Sequence, residues 1–489
     1  MRAFAKSAIS FPWAIGVLGV QQLANTVTPQ NPDRPDRVTT SLNAVTRATE
    51  MQFDKVIRLA FEAGDVLQKG VVDLTFNMLT LRSPNPSDVL RMTCGLIQES
   101  AGSLAQIAAK AGSPSDSASG GNLLSSLFGA MQSAMPSVAR ITSLFVPEEE
   151  RGAARQVFDN TFEAFQLVPE VGGLRLPPPG VYPPLPELVA KAYELAPYPA
   201  LWAVEGLGKY YADSFSQRNE VPRGALTDEK VKGLPDKSLT MLHAGLGLSF
   251  ATLLLDTANA QDSGSDIRKT LEHFIALVED NSRKGYVGCA LESLGLVTRT
   301  FHPEMIPIVD QQLLEINPEV VSYFWHGVGR AVYFNLGLLL PGCGLPWRAI
   351  QVCWQEARHE LGLLNAIAGV TWATTVVNMR TPQVMELLLK QHGDQISQDS
   401  AFANGVSSTL IMRYDTTPND PNITRFCQYQ PDASDPDLVE LWNKEIRQPC
   451  EDALQKYYPV LKKHNLLEEV FHYQPLSELI DRLRSGRRG

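Results

Sequence analysis

Two pairs of residues in this sequence have a spacing that puts a carboxylate and an imidazole one helical turn apart: Glu356-Ala357-Arg358-His359 and Glu469-Val470-Phe471-His472. In helical di-metal carboxylate proteins such a pair supplies two ligands from one helix face, and further carboxylates come from neighbouring helices. Glu205, Glu292 or Asp310 are available for that part. A pattern with only two fixed positions also arises by chance in a helical chain with eight histidines. Glu356 and His359 are therefore weak metal candidates, and a di-metal carboxylate oxygenase-type enzyme ranks last of three functional readings.

A second set of residues lies beside a recurring glycine phrase. It reads Glu205-Gly206-Leu207-Gly208, Ala244-Gly245-Leu246-Gly247, Glu292-Ser293-Leu294-Gly295, His326-Gly327-Val328-Gly329, Ala366-Ile367-Ala368-Gly369 and, degenerately, Asn404-Gly405-Val406-Ser407. The polar residues at or next to these phrases are Glu205, His243, Glu292, His326, Asn365 and Asn404. If the phrases stack in register, those side chains form a line or converge on one surface. Such a row can bind a metal, exchange protons with a substrate, or satisfy itself as a buried polar network. The network is the favoured reading, because buried polar groups need partners. His326 carries the sharpest expectation: it lies between Trp325 and Gly327, and Arg330 follows one turn later on the same face. An imidazole and a guanidinium so placed can hold an acidic group together. The competing reading is that His326 only hydrogen-bonds a neighbouring repeat. The candidate catalytic set is His326, Arg330, Glu292, Glu205 and His243.

Other chemistries leave no mark. A G-x-G invites a phosphate loop, but the dinucleotide fingerprint needs a preceding strand and a third glycine at the right offset. No Gly-x-Ser-x-Gly elbow is present. No cofactor is indicated.

The elements that must position these residues follow from the same phrases. Their fourth positions are 39, 48, 34, 40 and 38 residues apart, a period typical of helix-pair repeats. Glycine costs about 1 kcal/mol in a helix interior, so its recurrence predicts close helix crossings. The fold expected is all-α, with a helical-repeat, solenoid-like domain over 188–489. Ahead of it, apolar residues Phe53, Val56, Ile57, Ala60, Leu67, Val71, Leu74 and Met78 recur at helical spacing and predict an amphipathic helical region over 33–111. Gly112 to Asn122 is nearly free of apolar side chains and reads as a flexible linker. Residues 123–187 read as a helical segment followed by a proline-rich strap from Leu176 to Pro186.

Composition limits the partners. Lys and Arg total 43 against 53 Asp and Glu, a net charge of -10 without a long basic run; the footprint of a nucleic-acid binder is missing. Six cysteines occur with no C-x-x-C pair, which predicts free thiols in a reducing, cytoplasmic setting. Residues 1–32 form an apolar segment in which no charge appears between Lys6 and Asp33. Its apolar run is shorter than the roughly 20 residues a membrane span needs. An interfacial helix peripheral to a membrane ranks first, a helix docked on the protein itself second and a signal peptide third. The expected partners are a hydrophobic small molecule or a lipid surface, with a homo-oligomer left open.

The phrases Leu201 to Tyr211, Gly288 to Thr298 and above all Phe324-Trp325-His326-Gly327-Val328-Gly329-Arg330-Ala331-Val332-Tyr333-Phe334 resemble an uncharacterised family that accompanies enediyne and related polyketide gene clusters. The resemblance covers about residues 195–410. The N-terminal 190 residues depart from it and look faintly like the helical phasin-like proteins that coat storage granules. The first resemblance implies a protein of polyketide or lipid-like secondary metabolism that binds or processes a hydrophobic substrate in a helical-repeat pocket. The second implies a non-catalytic scaffold on a lipid or granule surface.

Overall fold

The computed structural model describes residues 151–485 except 171–175, 177–183, 228–231, 256–257, 259–263 and 335–344. All of them belong to one of the chain's two compact units, 148–339 with 344–489. The segments expected at 1–32, 33–111 and 112–122 lie outside the described residues, as does 123–150. Among the described residues every regular element is helical and no strand occurs. The chain is all-α.

Helix α1 (Arg151–Glu170) is followed by α2 (Leu185–Ala192), which takes the last residues of the proline-rich strap, Leu185 and Pro186, into its first turn. Proline is accommodated there because its missing N–H has no partner within the helix. In chain order there follow α3 (Pro197–Gln217), α4 (Leu239–Leu255), α5 (Gly264–Asn281), α6 (Val287–Leu291), α7 (Ser293–Phe301), α8 (Ile306–Ile316), α9 (Pro318–Tyr333), α10 (Ala349–Glu356), α11 (Glu360–Asn378), α12 (Gln383–Ile396) and α13 (Ala401–Thr416). Five short helices close the unit: α14 (Pro421–Gln428), α15 (Pro436–Trp442), α16 (Gln448–Asp452), α17 (Tyr458–His464) and α18 (Leu476–Arg484).

The phrase-bearing helices α3, α4, α6 with α7, α9, α11 and α13 pack consecutively, each on the next. Small residues allow this. Gly245 of α4 lies against the backbone carbonyl of Glu205 in α3, and Gly208 of α3 against that of Leu242 in α4. Gly295 and Gly327 make the same exchange between α7 and α9. A Cβ at any of these four positions would overlap a carbonyl oxygen, so each glycine's loss of helix propensity is offset by a crossing that no other residue permits.

Helices α4 and α11 are apolar on nearly every side, the pattern of a fully buried helix. Asp236–Leu255 and Glu360–Asn378 are long and apolar enough to cross a membrane by length and composition, and both lie mostly buried inside the unit. Helix α5 is one-sided: it turns Ile267, Leu271, Phe274 and Val278 inward and leaves Lys269, Glu272 and Glu279 exposed. Helix α1 packs on α3, α11 and α12, and the 3-10 turn Leu467–Phe471 returns the C-terminal chain to α6, α9 and α13.

Candidate functional site

Four of the five candidate catalytic residues converge. Arg330 projects from α9 and donates from Nη1 to Glu292 Oε2 at 2.7 Å and from Nη2 to Glu205 Oε1 at 3.2 Å. Glu292 sits at the break between α6 and α7, and its Oε1 lies 3.0 Å from His326 Nδ1. Three stretches of chain separated by up to 125 residues are thereby fastened by one guanidinium. Spacing explains the pairing on α9: His326 and Arg330 are four apart, so both reach the same carboxylate.

The group is closed to solvent. The side chains of Glu292, His326, Arg330 and Glu205 are 0%, 1%, 2% and 3% exposed. The Arg330 guanidinium lies 4.5 Å from the Trp372 ring centroid, and the His326 imidazole is set edge-to-face to both Trp372 and Phe471. Burial pushes the Glu205 carboxyl up despite the Arg330 charge beside it. Burial likewise drives His326 down, against the pull of Glu292. Burial opposes the charge on Arg330, and Glu292 and Glu205 more than offset it, so its pKa is raised. The result is a neutral imidazole whose Nδ1–H faces Glu292, with an ion pair beside it. Two buried atoms of the group, His326 Nε2 and Arg330 Nε, have no hydrogen-bond partner.

His243 stands apart. Its Nδ1 lies 2.6 Å from the Leu239 carbonyl, one turn back in the chain, and its Nε2 accepts the Arg283 N–H at 3.0 Å. It stacks on Tyr286. Burial takes its pKa down to about 4, against the pull of the Leu239 carbonyl and with help from the Arg283 charge. The sequence grouped it with Glu205 and Glu292 through the glycine phrase, yet its side chain serves the loop that ends at Tyr286. The asparagines of the later phrases hold the C-terminal tract: Asn365 Oδ1 accepts the Tyr473 N–H at 2.6 Å, and Asn404 Nδ2 donates to the Gln474 carbonyl.

The Glu-x-x-His expectation needs correction. Helix α10 ends at Glu356; Ala357 and His359 are extended, so the pair shares no helix face. Glu356 takes both Nε and Nη2 of Arg299, at 2.7 and 2.8 Å. His359 caps α11, its Nδ1 accepting the Gly362 N–H at 2.9 Å, and its Nε2 lies 3.1 Å from Asp310 Oδ1. Asp310 also accepts Trp325 Nε1 at 2.7 Å. His472 is extended after the 3-10 turn and hydrogen-bonds Glu469 at 3.0 Å. Among the described residues no three His, Cys, Asp or Glu side chains gather as a metal-holding set.

Sequence reasoning missed the aromatic walls of the site. Trp372 lies in the apolar stretch of α11, one turn after the Ala366 to Gly369 phrase, and Phe471 lies within the Glu469 to His472 pair on a distant 3-10 turn, yet neither pattern marks them as walls of this site. No family model, curated protein or solved structure matches the chain.

Proposed function

We propose that the described unit is a non-catalytic helical scaffold, carried to a lipid or granule surface by the apolar segment at residues 1–32. The observation that supports this reading is the closure of the central network. Arg330 is engaged by Glu292 and Glu205, and Glu292 also by His326, all behind Trp372. Removing one member leaves a buried charge unpaired, which is how a clamp behaves. On this reading the consecutive glycine crossings form a rigid solenoid-like array. The test is flotation of the full-length chain with anionic liposomes against a chain lacking residues 1–32. Flotation of the full chain alone supports the scaffold; equal behaviour of both overturns the anchoring role of residues 1–32.

One observation favours a second reading, a protein of polyketide or lipid-like metabolism that handles a hydrophobic substrate. His326 Nε2 and Arg330 Nε are buried without partners, and unsatisfied polar groups in an aromatic enclosure are a reason to look for a ligand. Native mass spectrometry of the purified full chain tests it. A co-purified small molecule that is lost with His326→Gln, at unchanged melting temperature, decides for this reading.

A further inference from the structure

The tract between the 3-10 turn Leu467–Phe471 and α18 is held by side chains rather than by backbone. His472 is extended, and 473–475 belong to no helix. Among the described residues no backbone group of another segment hydrogen-bonds His472, Tyr473 or Gln474. Two side-chain amides do so instead. Asn365, on α11, accepts the Tyr473 N–H through Oδ1 at 2.6 Å. Asn404, on α13, donates from Nδ2 to the Gln474 carbonyl. Helices α11 and α13 pack on each other, so neighbouring helices address the backbones of consecutive residues in one segment.

Both amides belong to the buried body of the unit. Asn365 Nδ2 donates to the Leu361 carbonyl one turn back, at 2.8 Å, which aims Oδ1 at the tract. Asn404 is 8% exposed, and its Oδ1 is buried without a partner. The chain's own tract therefore leaves one acceptor of the amide pair unused. Side-chain contacts add to these bonds: the His472 ring lies 4.6 Å from that of Tyr323, and the Tyr473 hydroxyl meets Ser400 Oγ at 2.7 Å. Ser400 is exposed, and His472, Tyr473 and Gln474 are half-buried, so the tract lies at the surface. Main-chain hydrogen bonds give an extended segment its affinity, and contacts to its side chains give selectivity.

We propose that the surface over α11 and α13 is a docking groove for an extended segment of a partner protein, occupied here from within the chain by His472, Tyr473 and Gln474. The chemistry of the partner segment follows from the contacts. It offers an N–H to Asn365, a carbonyl one residue later to Asn404, and a tyrosine hydroxyl to Ser400. The tethered tract competes at an effective concentration on the order of millimolar, so the groove is open to a partner when the tract lets go. The groove does not depend on residues 1–32, and its failure would leave the flotation result untouched.

Fluorescence anisotropy of the full-length chain with a labelled peptide copying Phe471 to Leu476 tests this. Tyr473→Pro removes from the tract the N–H that Asn365 accepts. His472 before it is already extended, as a following proline requires. The peptide is expected to bind the Tyr473→Pro chain saturably and at least tenfold more tightly than the wild type. Tyr473→Gly, which drops the ring and its Ser400 contact but keeps the N–H, is expected to give a smaller gain in the same direction. Methylating the backbone nitrogen of the peptide's tyrosine is expected to weaken its binding to either variant at least tenfold, with the protein itself unaltered. Adding Asn365→Ala to Tyr473→Pro is expected to give the same loss. The absence of saturable binding to both Tyr473 variants overturns the proposal, as does equal binding of the methylated peptide. A wild-type dimer that Asn404→Ala dissociates would assign the groove to the tract of a second copy of this chain, and so would overturn the assignment to a partner protein.

Discussion

The Arg330 guanidinium carbon lies over the Trp372 ring, 4.5 Å from its centroid. The indole covers the ion network where α9 packs on α11. It excludes water from the bonds between Arg330 and the two glutamates, which strengthens those bonds and makes each partner's loss more costly.

Arg330→Met removes the only cation of that network and leaves Glu205 and Glu292 facing each other in the core. The expected loss is about 3–5 kcal/mol, the range for breaking a buried ion pair from one side. Arg330→Lys is expected to fall between, since an ammonium cannot reproduce the fork that spans both carboxylates. Replacing Arg330, Glu205 and Glu292 together by apolar residues of similar volume is expected to restore most of the stability. Urea unfolding midpoints of the three proteins check the order.

Gly245→Ala drives a methyl group into the Glu205 carbonyl. Overpacking of this kind costs about 1–3 kcal/mol, and here it also displaces the backbone that carries an Arg330 partner. Gly152→Ala is the control. Nothing lies within 4 Å of its Cβ, so only helix propensity acts, and a gain of up to about 1 kcal/mol is expected. Thermal unfolding of both variants gives the sign, and equal effects would remove the close-crossing explanation.

The glycine phrases made the packing order of the buried helices legible, because a glycine inside a helix has few physical reasons other than a close neighbour. They also picked out Glu205, Glu292 and His326, which lie at or beside the crossings. The same logic grouped His243 with them, although its ring is turned to Leu239 and Arg283; phrase position fixes where a Cα lies and leaves χ angles free. Glu356 and His359 misled for another reason. Spacing of three implies a shared face only inside one helix, and α10 stops at Glu356. Trp372 was hidden because an aromatic residue in an apolar run reads as core, whatever polar group it later covers, and Phe471 because it was only the filler between Glu469 and His472.

His243 predicts the acid limb of the stability curve. Its pKa is 6.5 when free and about 4 when folded. Between those values the unfolded chain binds the proton and the folded chain does not, so stability rises with pH across the window. Its contribution is full above pH 6.5 and is lost as pH falls through about 4. The size is on the order of 3 kcal/mol at 1.36 kcal/mol per unit. His243→Asn is expected to flatten the slope of unfolding free energy between pH 4 and 6.5, measured by urea titration at closely spaced pH values. An unchanged slope would mean that the ring is protonated when folded.

His359 separates a capping role from a metal role. Its Nδ1 caps α11 through Gly362, and its Nε2 lies 3.1 Å from Asp310, which is 4% exposed and also held by Trp325. Asparagine is itself a good N-cap but is too short to reach Asp310 as well, whereas alanine loses both contacts. His359→Ala is therefore expected to cost more than His359→Asn, by about 1 kcal/mol. Trp325→Phe, which strips one donor from a buried carboxylate, is expected to cost about 1–3 kcal/mol. Unfolding is then repeated with EDTA present. If His359 acts only as cap and anchor, the chelator shifts none of these midpoints; a wild-type midpoint that falls with EDTA while that of His359→Ala does not would return the residue to a metal site.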